Sequence, residues 1–452
     1  MTSTIAAIST APGTGAIAVI RLSGPDSLGL LRRVFFPKDG AERWTARSMR
    51  FGQVRFPDGG LIDEALAVWF PGPKSFTGED CAEIHGHGGE AVSGQVLAAV
   101  LAAGAALAEP GEFTRRAFFN GRLDLSQAEA VADLISAQSA AEVGLAARQL
   151  AGGLSQRVEA IHQAILSGLV ELEAAIDFNE DVEPIDMSAV ERRLRQEALL
   201  PLMKLLDEAG EGRLFKDGLK LALVGAPNVG KSSLFNALAG HDRALVSDVA
   251  GTTRDFITIG AIWSGLRIEL CDTAGLSETP CDALDALGQE RTRDRLEASD
   301  IVLWVRDCGR FDGGGGDYVD PALMPPGRTI VVWNKIDLAE APPKGEGGPE
   351  ALAVSARTGR GLDLLKSAIL KLATGRENPS PPEVVPNLRH QAALKRAESY
   401  LSATFAAINE GQPPDICAFE LRAALDSIGL ICGRTSSEDL LNEIFTRFCL
   451  GK

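Results

Sequence analysis

Residues 225–233 read GAPNVGKSS, and this stretch decides the fold of the chain around it. The apolar, β-prone run Leu219–Val224 leads into it, and residues 234–238 follow with a helical pattern. A strand, a glycine-rich loop and a helix in this order are the setting of a phosphate-binding loop. Gly225 and Gly230 let the backbone curl so that its N–H groups point at phosphate oxygens, and the helix adds its positive N-terminus. A chance glycine-rich turn is the alternative.

Two side chains of this loop carry the chemistry of a nucleoside triphosphate site. Lys231 can reach the β- and γ-phosphates, and the Ser232 hydroxyl can bind Mg²⁺. Two later stretches, GTTRD at 251–255 and DTAG at 272–275, complete the phosphate side. Thr253 can complete the Mg²⁺ shell and sense the γ-phosphate. Asp272 would hold Mg²⁺ through water, and the Gly275 N–H would meet the γ-phosphate.

The guanine side is indicated by NKID at 334–337 and by SAR at 355–357. The Asp337 carboxylate can accept hydrogen bonds from the two N–H groups that guanine offers. Adenine does not offer this pair, so Asp337 favours GTP over ATP. Each short match is weak alone, but four in order at this spacing argue against chance.

These stretches supply the residues expected to contact the nucleotide. They are Asn228, Val229, Gly230, Lys231, Ser232, Ser233, Ser247, Asp248, Val249, Ala250, Gly251, Thr252, Thr253, Asp272, Thr273, Ala274, Gly275, Asn334, Lys335, Asp337, Ser355, Ala356 and Arg357.

Two positions bear on how GTP would be hydrolysed. Many GTPases aim the attacking water with a Gln just after the DxxG glycine, but this chain has Leu276, so another group must do so. In a subset of GTPases an Asn at the position of Asn228 helps to bind K⁺, and carbonyls of a loop, here 247–252, complete the shell. We expect K⁺-assisted hydrolysis; the alternative is that Asn228 only bonds the loop.

Size and charge narrow the function. The 452 residues suffice for about two to four domains. The net charge of −16 gives no overall field that favours nucleic acid. The basic stretches at 115–116, 192–195 and 291–295 are either solvated helix faces or local RNA contacts.

Cysteine spacing and hydropathy indicate the compartment. The seven cysteines lack CxxC spacing, so neither a zinc site nor a disulfide framework is indicated. No signal peptide or membrane-length apolar run appears, so we expect a cytoplasmic protein rather than a transporter with a GTPase head.

The order of predicted elements along the sequence indicates a multidomain protein. The N-terminal part is expected to be α+β, with strands over 4–8, 16–22, 49–56, 61–70 and 81–85 and helices over 27–35 and 90–103. Helices are then expected from 126, over 154–175 and over 188–208, and after the phosphate-binding domain over 362–372, 389–408, 416–428 and 436–448. Ser126 with Glu129, and Ser436 with Asp439, are the predicted helix caps.

Helical segments thus flank the α/β P-loop G domain on both sides, so we expect that domain to be inserted between two halves of one helical bundle. The predicted limits are 1–115 for the N-terminal domain, 116–214 and 377–452 for the two helical halves, and 215–376 for the G domain.

Two further segments draw attention. Residues 75–89 crowd carboxylates, imidazoles and glycines, and Cys81, Glu83 and His85 would share one face of a strand. A metal site and neutral, hydrogen-bonded histidines both remain open, the second being commoner. In the tail, Phe448 and Leu450 predict docking against an apolar surface, and Cys449 is either a nucleophile or a packed thiol.

Taken together, these segments resemble the MnmE (TrmE) family of bacterial and organellar tRNA-modification GTPases over the whole chain. The resemblance is carried by TIAAIST at 4–10, RLSG at 21–24, FTGED at 76–80, GHGG at 86–89, PGEFT at 110–114, NGRLDL at 120–125, QAEA at 127–130, the GTPase motifs and CLGK at 449–452.

The resemblance implies an activity and its partners. Family members are homodimers through an N-terminal domain that resembles the folate-binding domains of aminomethyltransferases. They bind a one-carbon tetrahydrofolate (5-formyl or 5,10-methylene). With an FAD-dependent MnmG-type flavoprotein, in a heterotetramer, they add a carboxymethylaminomethyl or aminomethyl group at carbon 5 of the wobble uridine of certain tRNAs. K⁺-stimulated GTP hydrolysis, as two G domains meet, drives the cycle.

Carried over by position, the resemblance also assigns site residues. The folate contacts would be Arg21, Glu83, Arg122 and Lys452; the K⁺ ligands Asn228, Ser247, Val249 and Thr252; the Mg²⁺ ligands Ser232 and Thr253; and the catalytic candidates Asp285, Asn228 and Cys449.

The chain departs from the family pattern at two of these positions. Asp285 stands where the family has a water-aiming Glu, and it is one methylene shorter, so Glu278 or Asp282 could act instead. Arg122 is often a Lys, which keeps the charge but changes the geometry. The competing function is a regulatory GTPase switch that only binds RNA or the ribosome; such relatives usually carry an added RNA-binding module, which we do not find in this sequence.

Overall fold

The computed structural model describes residues 3–40, 43–177, 186–240, 258–272, 296–309, 324–338, 351–377, 379–435 and 437–452. The chain divides into two compact units. The first comprises Met1–Ile135, Gln149–Met203 and Leu388–Lys452, and the second comprises Ser136–Arg148 and Lys204–Asn387.

The N-terminal part of the first unit is built on a seven-stranded sheet with the order β3-β4-β5-β6-β2-β1-β7. Its strands are β1 Ile5–Ile8, β2 Ile17–Ser23, β3 Phe35–Pro37, β4 Arg50–Arg55, β5 Leu61–Phe70, β6 Cys81–His87 and β7 Ala106–Leu107. All neighbours are antiparallel except β1 and β7.

Two helices, α1 Ser27–Val34 and α2 Glu90–Ala102, cover one face of this sheet. Leu31 of α1 and Val96 of α2 join one buried cluster with Ile20, Ala65 and Ile84 of the strands. Because side chains alternate across a strand, the residues between these buried positions belong to the opposite face. The predicted α+β fold of this part is confirmed.

The rest of the first unit is helical. Its elements are α3 Glu112–Phe119, α4 Leu125–Ser136, α6 Gly153–Asp177, α7 Met187–Leu194, a π-helical turn Arg195–Leu199, α11 Leu388–Asn409, α12 Pro414–Cys432 and α13 Glu438–Thr446. Helices α5 Ala140–Leu150 and α8 Leu200–Asp217 have residues in both units. The helix predicted over 188–208 is helical as expected, but it includes the π turn and continues to Asp217.

The second unit is built on a six-stranded sheet with the order β13-β12-β11-β8-β10-β9. Its strands are β8 Leu219–Val224, β9 Thr258–Trp263, β10 Leu266–Asp272, β11 Ile301–Asp307, β12 Thr329–Asn334 and β13 Leu352–Ala353, and its described helices include α9 Lys231–Ala239 and α10 Leu362–Thr374. Only the β9–β10 pair is antiparallel. Central parallel strands ending at one edge are the α/β arrangement that the P-loop motif predicts.

Both predicted helix caps are wrong, because each helix is capped by a residue other than the one predicted. At α4, the Gln127 N–H donates to Asp124 Oδ1 (2.9 Å) and the Asp124 N–H donates to Gln127 Oε1 (3.0 Å), so this pair forms the capping box in place of Ser126 and Glu129. At α13, the cap is Ser437, which accepts from the Leu440 N–H; Ser436 lies outside the described residues.

Among the described residues, none of the helices is long and apolar enough to cross a membrane.

Candidate functional sites

The phosphate-binding loop of the second unit connects the end of β8 to the first turn of α9. Gly225 (φ 153°) and Gly230 (φ 92°) adopt conformations that favour glycine. A Cβ on Gly225 would lie 2.2 Å from the Val305 carbonyl oxygen, and one on Gly230 would lie 2.4 Å from Asn334 Nδ2. Glycine is therefore required at both positions by the neighbouring strand and by the guanine-side motif.

Asn334 joins the phosphate side of the site to the guanine side. Its amide donates to the Val229 carbonyl oxygen (2.9 Å), and its Oδ1 accepts from the Ala356 N–H (3.1 Å). The side chain is buried, so these bonds are made without competition from water. The structure thus brings three of the sequence motifs together.

Two lysines secure the backbone of the same loop. Lys231 Nζ donates to the carbonyl oxygens of Gly225 and Ala226, both at 2.8 Å. Lys335 Nζ donates to the carbonyl oxygen of Asn228 at 2.6 Å. Both ammonium groups therefore lie at the loop where phosphate charge would be received.

Asp337, the predicted guanine acceptor, contacts two residues of the SAR loop. The Ser355 hydroxyl donates to Asp337 Oδ1 (2.7 Å), and the Arg357 guanidinium lies 4.0 Å from Oδ2. The hydrogen bond from Ser355, with the charges of Arg357 and Lys335, lowers the pKa of Asp337 below its ordinary value. The carboxylate is therefore ionised and able to accept at neutral pH.

Only some of the other residues that are predicted to contact the nucleotide lie in the described part of the chain. Ser232 and Ser233 are exposed in the first turn of α9, and Asp272 is the last residue of β10. Ser247, Asp248, Val249, Ala250, Gly251, Thr252, Thr253, Thr273, Ala274, Gly275 and Asp285 lie outside the described residues.

A second cluster of predicted site residues lies on the sheet of the first unit. Arg21 Nε and its NH2 group both contact Glu83 Oε1 at 2.9 Å, and His85 Nε2 lies 3.0 Å from Glu83 Oε2. The Arg21 guanidinium lies 5.3 Å from the ring centre of Phe76 and 6.0 Å from that of Phe113. Burial alone would raise the pKa of Glu83, but the bonds from His85 and Arg21 outweigh it and lower that pKa.

The C-terminal tail reaches this cluster. The Ser9 hydroxyl donates to the Gly451 carbonyl oxygen (3.1 Å), and a Cβ on Gly451 (φ 89°) would lie 2.2 Å from the Ile8 carbonyl oxygen. Burial lowers the pKa of Lys452, the charge of Arg21 lowers it further, and Glu83 partly offsets both. The tail is therefore fixed against the end of β1, and the charges of Arg21 and Glu83 act on its terminal lysine.

The apolar docking predicted for the tail is confirmed for only one of its two side chains. Phe448 is buried, with its ring centre 5.6 Å from that of Phe445. Leu450 is 48% exposed, and Cys449 is exposed as well. The tail is instead held by backbone contacts, which a hydrophobic pattern does not reveal.

Arg122 contacts a neighbouring part of the same region. Its Nε donates to the Ser75 carbonyl oxygen (3.1 Å), whereas Arg21 contacts Phe76, the next residue. Because Arg21 and Glu83 touch each other, they cannot serve opposite ends of one elongated ligand. They form one charged pair on the sheet of the first unit.

No group of three or more His, Cys, Asp or Glu side chains among the described residues is arranged to hold a metal. Of the two interpretations of residues 75–89, the structure therefore favours hydrogen-bonded histidines. His85 pairs with Glu83, and His87 Nδ1 lies 2.7 Å from Asp63 Oδ1.

Sequence reasoning missed a buried polar network behind this cluster. Arg116, 1% exposed, donates to Glu112 Oε1 (2.7 Å) and Glu79 Oε2 (3.0 Å), and Glu79 also accepts from the Ser23 hydroxyl (2.8 Å). The only sequence signal was the FTGED stretch, which contains Glu79 but does not identify its partner. The network binds α3 to the sheet.

The described basic stretches pair with acids on their own unit, which favours solvated or structural roles over RNA contacts. Residues 291–295 lie outside the described residues. The pairs are Arg115 with Glu109, Arg116 with Glu112, Arg192 with Asp186, Arg193 with Glu171 and Arg195 with Glu191.

Comparison with known proteins gives the family. A model described as the GTP-binding protein TrmE N-terminus matches residues 4–122, and one described as the MnmE helical domain matches residues 125–449. The tRNA modification GTPase MnmE of Chloroflexus aurantiacus is 43% identical over 460 residues, which cover 100% of both chains. The chain belongs to the MnmE family.

Another relative supports the same assignment. The MnmE protein of Roseiflexus sp. (strain RS-1) is 41% identical over 462 residues, with 99% of each chain covered. A solved structure, the G domain of the T. maritima FeoB iron transporter, is 28% identical and covers 34% of this chain and 98% of its own, with a TM-score of 0.25. The resemblance to MnmE proteins found in the sequence is confirmed.

Proposed function

We propose that this chain hydrolyses GTP as an enzyme of tRNA modification. The observation that carries the proposal is the bridge made by Asn334, which bonds the phosphate-binding loop through Val229 and the SAR loop through Ala356. Asp337 belongs to the same motif and the same unit, and its lowered pKa supports a role as the guanine acceptor. Guanine selectivity and triphosphate binding then belong to one site.

The residues present fit the ions that such a site uses. Ser232 is exposed in the first helical turn, where it can bind Mg²⁺ together with Thr253. Asn228 adopts φ 64°, and we propose it as a K⁺ ligand with Ser247, Val249 and Thr252. When bound, these cations neutralise charge that develops on the phosphates. Asp285 remains our candidate for aiming the attacking water.

Hydrolysis in KCl and NaCl tests this part of the proposal. We expect the full-length protein to hydrolyse GTP faster in KCl, to leave ATP unchanged, and to lose the difference between salts in Asn228→Ala. Equal wild-type rates in the two salts would remove the role of Asn228. No GTP binding at saturating Mg²⁺ would overturn the proposed function as a whole.

We further propose that the first unit binds a one-carbon tetrahydrofolate, 5-formyl or 5,10-methylene, through Arg21, Glu83, Arg122 and Lys452. Glutamate suits the donor edge of the pterin, so we propose that Glu83 and its partner Arg21 meet the pterin, and that Arg122 and Lys452 meet the carboxylates of folate. The contact between Arg21 and Glu83 (2.9 Å) means that this pair meets a single portion of the ligand. Cys449 is exposed in the tail that carries Lys452, so it is our candidate for a nucleophile there.

The proposed reaction is addition of a carboxymethylaminomethyl or aminomethyl group at carbon 5 of the tRNA wobble uridine. We propose that the chain acts as a cytoplasmic homodimer in a heterotetramer with an FAD-dependent MnmG-type flavoprotein. We keep 1–115, 116–214, 215–376 and 377–452 as its functional divisions.

Two measurements separate this proposal from a regulatory GTPase that only binds RNA or the ribosome. The full-length dimer should bind 5-formyltetrahydrofolate saturably, and tRNA from cells lacking the protein should lose the wobble-uridine modification. A protein that binds GTP but no folate, with tRNA nucleosides unchanged in its absence, would support the regulatory switch instead.

A further inference from the structure

Asp307 is a charged residue near the nucleotide site that no sequence motif identified. It is the last residue of β11, and its side chain is only 10% exposed. Its Oδ1 accepts from the Gly309 N–H (2.9 Å), and its Oδ2 lies 2.8 Å from Lys335 Nζ. The carboxylate is therefore fixed by its own turn and directed at a lysine of the NKID motif.

Lys335 in turn contacts the phosphate-binding loop. Its ammonium donates to the Asn228 carbonyl oxygen at 2.6 Å, so it bridges the end of β11 and the loop. Lys335 (φ 67°) and Asn228 (φ 64°) both have left-handed backbones, which residues with side chains adopt only at a cost. Contacts that hold both residues in place are needed to keep this arrangement.

We propose that Asp307 is a positioning residue of the nucleotide site, which holds the Lys335 ammonium against the Asn228 carbonyl and thereby fixes the phosphate-binding loop. The inference rests on the proposed GTP function. Without the carboxylate, the flexible lysine keeps one neutral partner, and a hydrogen bond to a neutral group is weaker than one to an ionised group. The loop then spends more time in conformations that do not bind phosphate.

The first test is nucleotide affinity in Asp307→Asn, which keeps the shape and removes the charge. We expect fluorescent GDP to bind the full-length variant about tenfold more weakly than wild type, the size of one charge-assisted hydrogen bond. Asp300→Asn is the matched control: it lies just before the other end of β11, where Asp300 pairs with Arg213 (2.8 Å), and it should leave the affinity within about twofold.

A double-mutant cycle separates positioning from a general structural effect. If Asp307 acts through Lys335, then Asp307→Asn should add less than about twofold to the loss caused by Lys335→Met. If the affinity losses of the two single variants multiplied in the double variant, Asp307 would act by another route and the inference would be overturned. Wild-type affinity in Asp307→Asn would overturn it as well.

A second variant covers the case in which Asp307→Asn does not fold, as a thermal melt would show. Asp307→Glu keeps the charge but moves it by one methylene, so this variant should lose less GDP affinity than Lys335→Met. Combined with Lys335→Met, it should add little to the loss that Lys335→Met causes alone. If the wild type itself bound no GDP, both the proposed GTP function and this inference would fail. If the wild type bound GDP and only the results for the Asp307 variants differed from those expected, the inference would fail and the GTP function would stand.

Discussion

At the residue scale, Asp337 is the residue that we propose selects guanine. Ser355 occupies one side of its carboxylate, and the lowered pKa keeps it an acceptor. Guanine offers two neighbouring N–H groups, whereas xanthine offers one N–H and one carbonyl oxygen. An amide presents one acceptor and one donor, so it matches xanthine and leaves a guanine donor facing another donor.

We therefore predict that Asp337→Asn binds GTP about a hundredfold more weakly and gains hydrolysis of xanthosine triphosphate. Competition between the two nucleotides in a hydrolysis assay measures this change. A variant that still prefers GTP would show that other groups read the base.

Lys452 is the residue of the C-terminal tail that we propose as a folate contact. Replacing it with Met removes a cation whose charge interacts with those of Arg21 and Glu83. We predict about tenfold weaker binding of 5-formyltetrahydrofolate and unchanged GTP affinity. Arg447→Met is the control, because Arg447 forms an exposed i,i+4 pair with Glu443. An equal loss in both variants would point to general disturbance of the tail.

At the element scale, a buried ion cluster joins three helices of the first unit. Glu129 of α4 accepts from Arg389 Nε (2.9 Å) and lies 2.8 Å from Nε2 of His390, both at the start of α11. Arg389 also donates to the Leu430 carbonyl oxygen (2.7 Å) near the end of α12. His390 is fully buried, and the side chains of Arg389 and Glu129 are 19% and 13% exposed, so the cluster is largely shielded from water.

Breaking this cluster should destabilise the helical part. We predict that Glu129→Gln lowers the free energy of unfolding by about 2–4 kcal/mol at pH 7, since it leaves Arg389 without its buried counter-charge. Urea unfolding monitored by helical circular dichroism measures the loss. The exposed pair Arg422–Glu173 offers a control, and Glu173→Gln should cost less than about 1 kcal/mol.

The same cluster predicts a dependence on pH. Burial alone would raise the pKa of Glu129, but the hydrogen bonds from His390 and Arg389 outweigh it and hold the pKa well below its ordinary range. The stabilisation is therefore present above the unfolded pKa of about 4.3 and is lost as the pH falls through the folded value. Glu129→Gln should lack this part of the acid-induced loss of stability; an unchanged pH profile would contradict it.

At the scale of the whole molecule, the sheet of the first unit exposes two neighbouring apolar side chains. Phe51 of β4 pairs with Leu66 of β5, which pairs with His85 of β6, all on the face away from α1 and α2. Phe51 is 46% exposed and Leu66 is 40% exposed. Adjacent exposed apolar residues on a sheet are typical of an interface, which supports the proposed homodimer.

We predict that the double variant Phe51→Glu with Leu66→Glu is monomeric in sedimentation, because dimerisation would bury four carboxylates. Phe419→Glu is the control: Phe419 is 70% exposed on α12, and its replacement should leave the dimer intact. A dimer that survives the double substitution would place the interface elsewhere.

The sequence by itself determined the elements and the nucleotide motifs. Leu219–Val224 forms a strand, and residues 231–239 form a helix, because apolar periodicity and glycine placement act over a few neighbouring residues. It did not determine which cap pattern was used at α4, since Asp124–Gln127 and Ser126–Glu129 both satisfy the same spacing and the path of the entering chain selects between them.

Only the tertiary structure decided which distant charges meet. The Arg21–Glu83 pair, the Glu129–Arg389 bond and the Asp307–Lys335 bridge each join separate segments. Such pairs leave no periodic signal, because they depend on strand order and helix packing rather than on local spacing. The resemblance to the family predicted that Arg21 and Glu83 serve one ligand, but only the structure shows that their side chains touch.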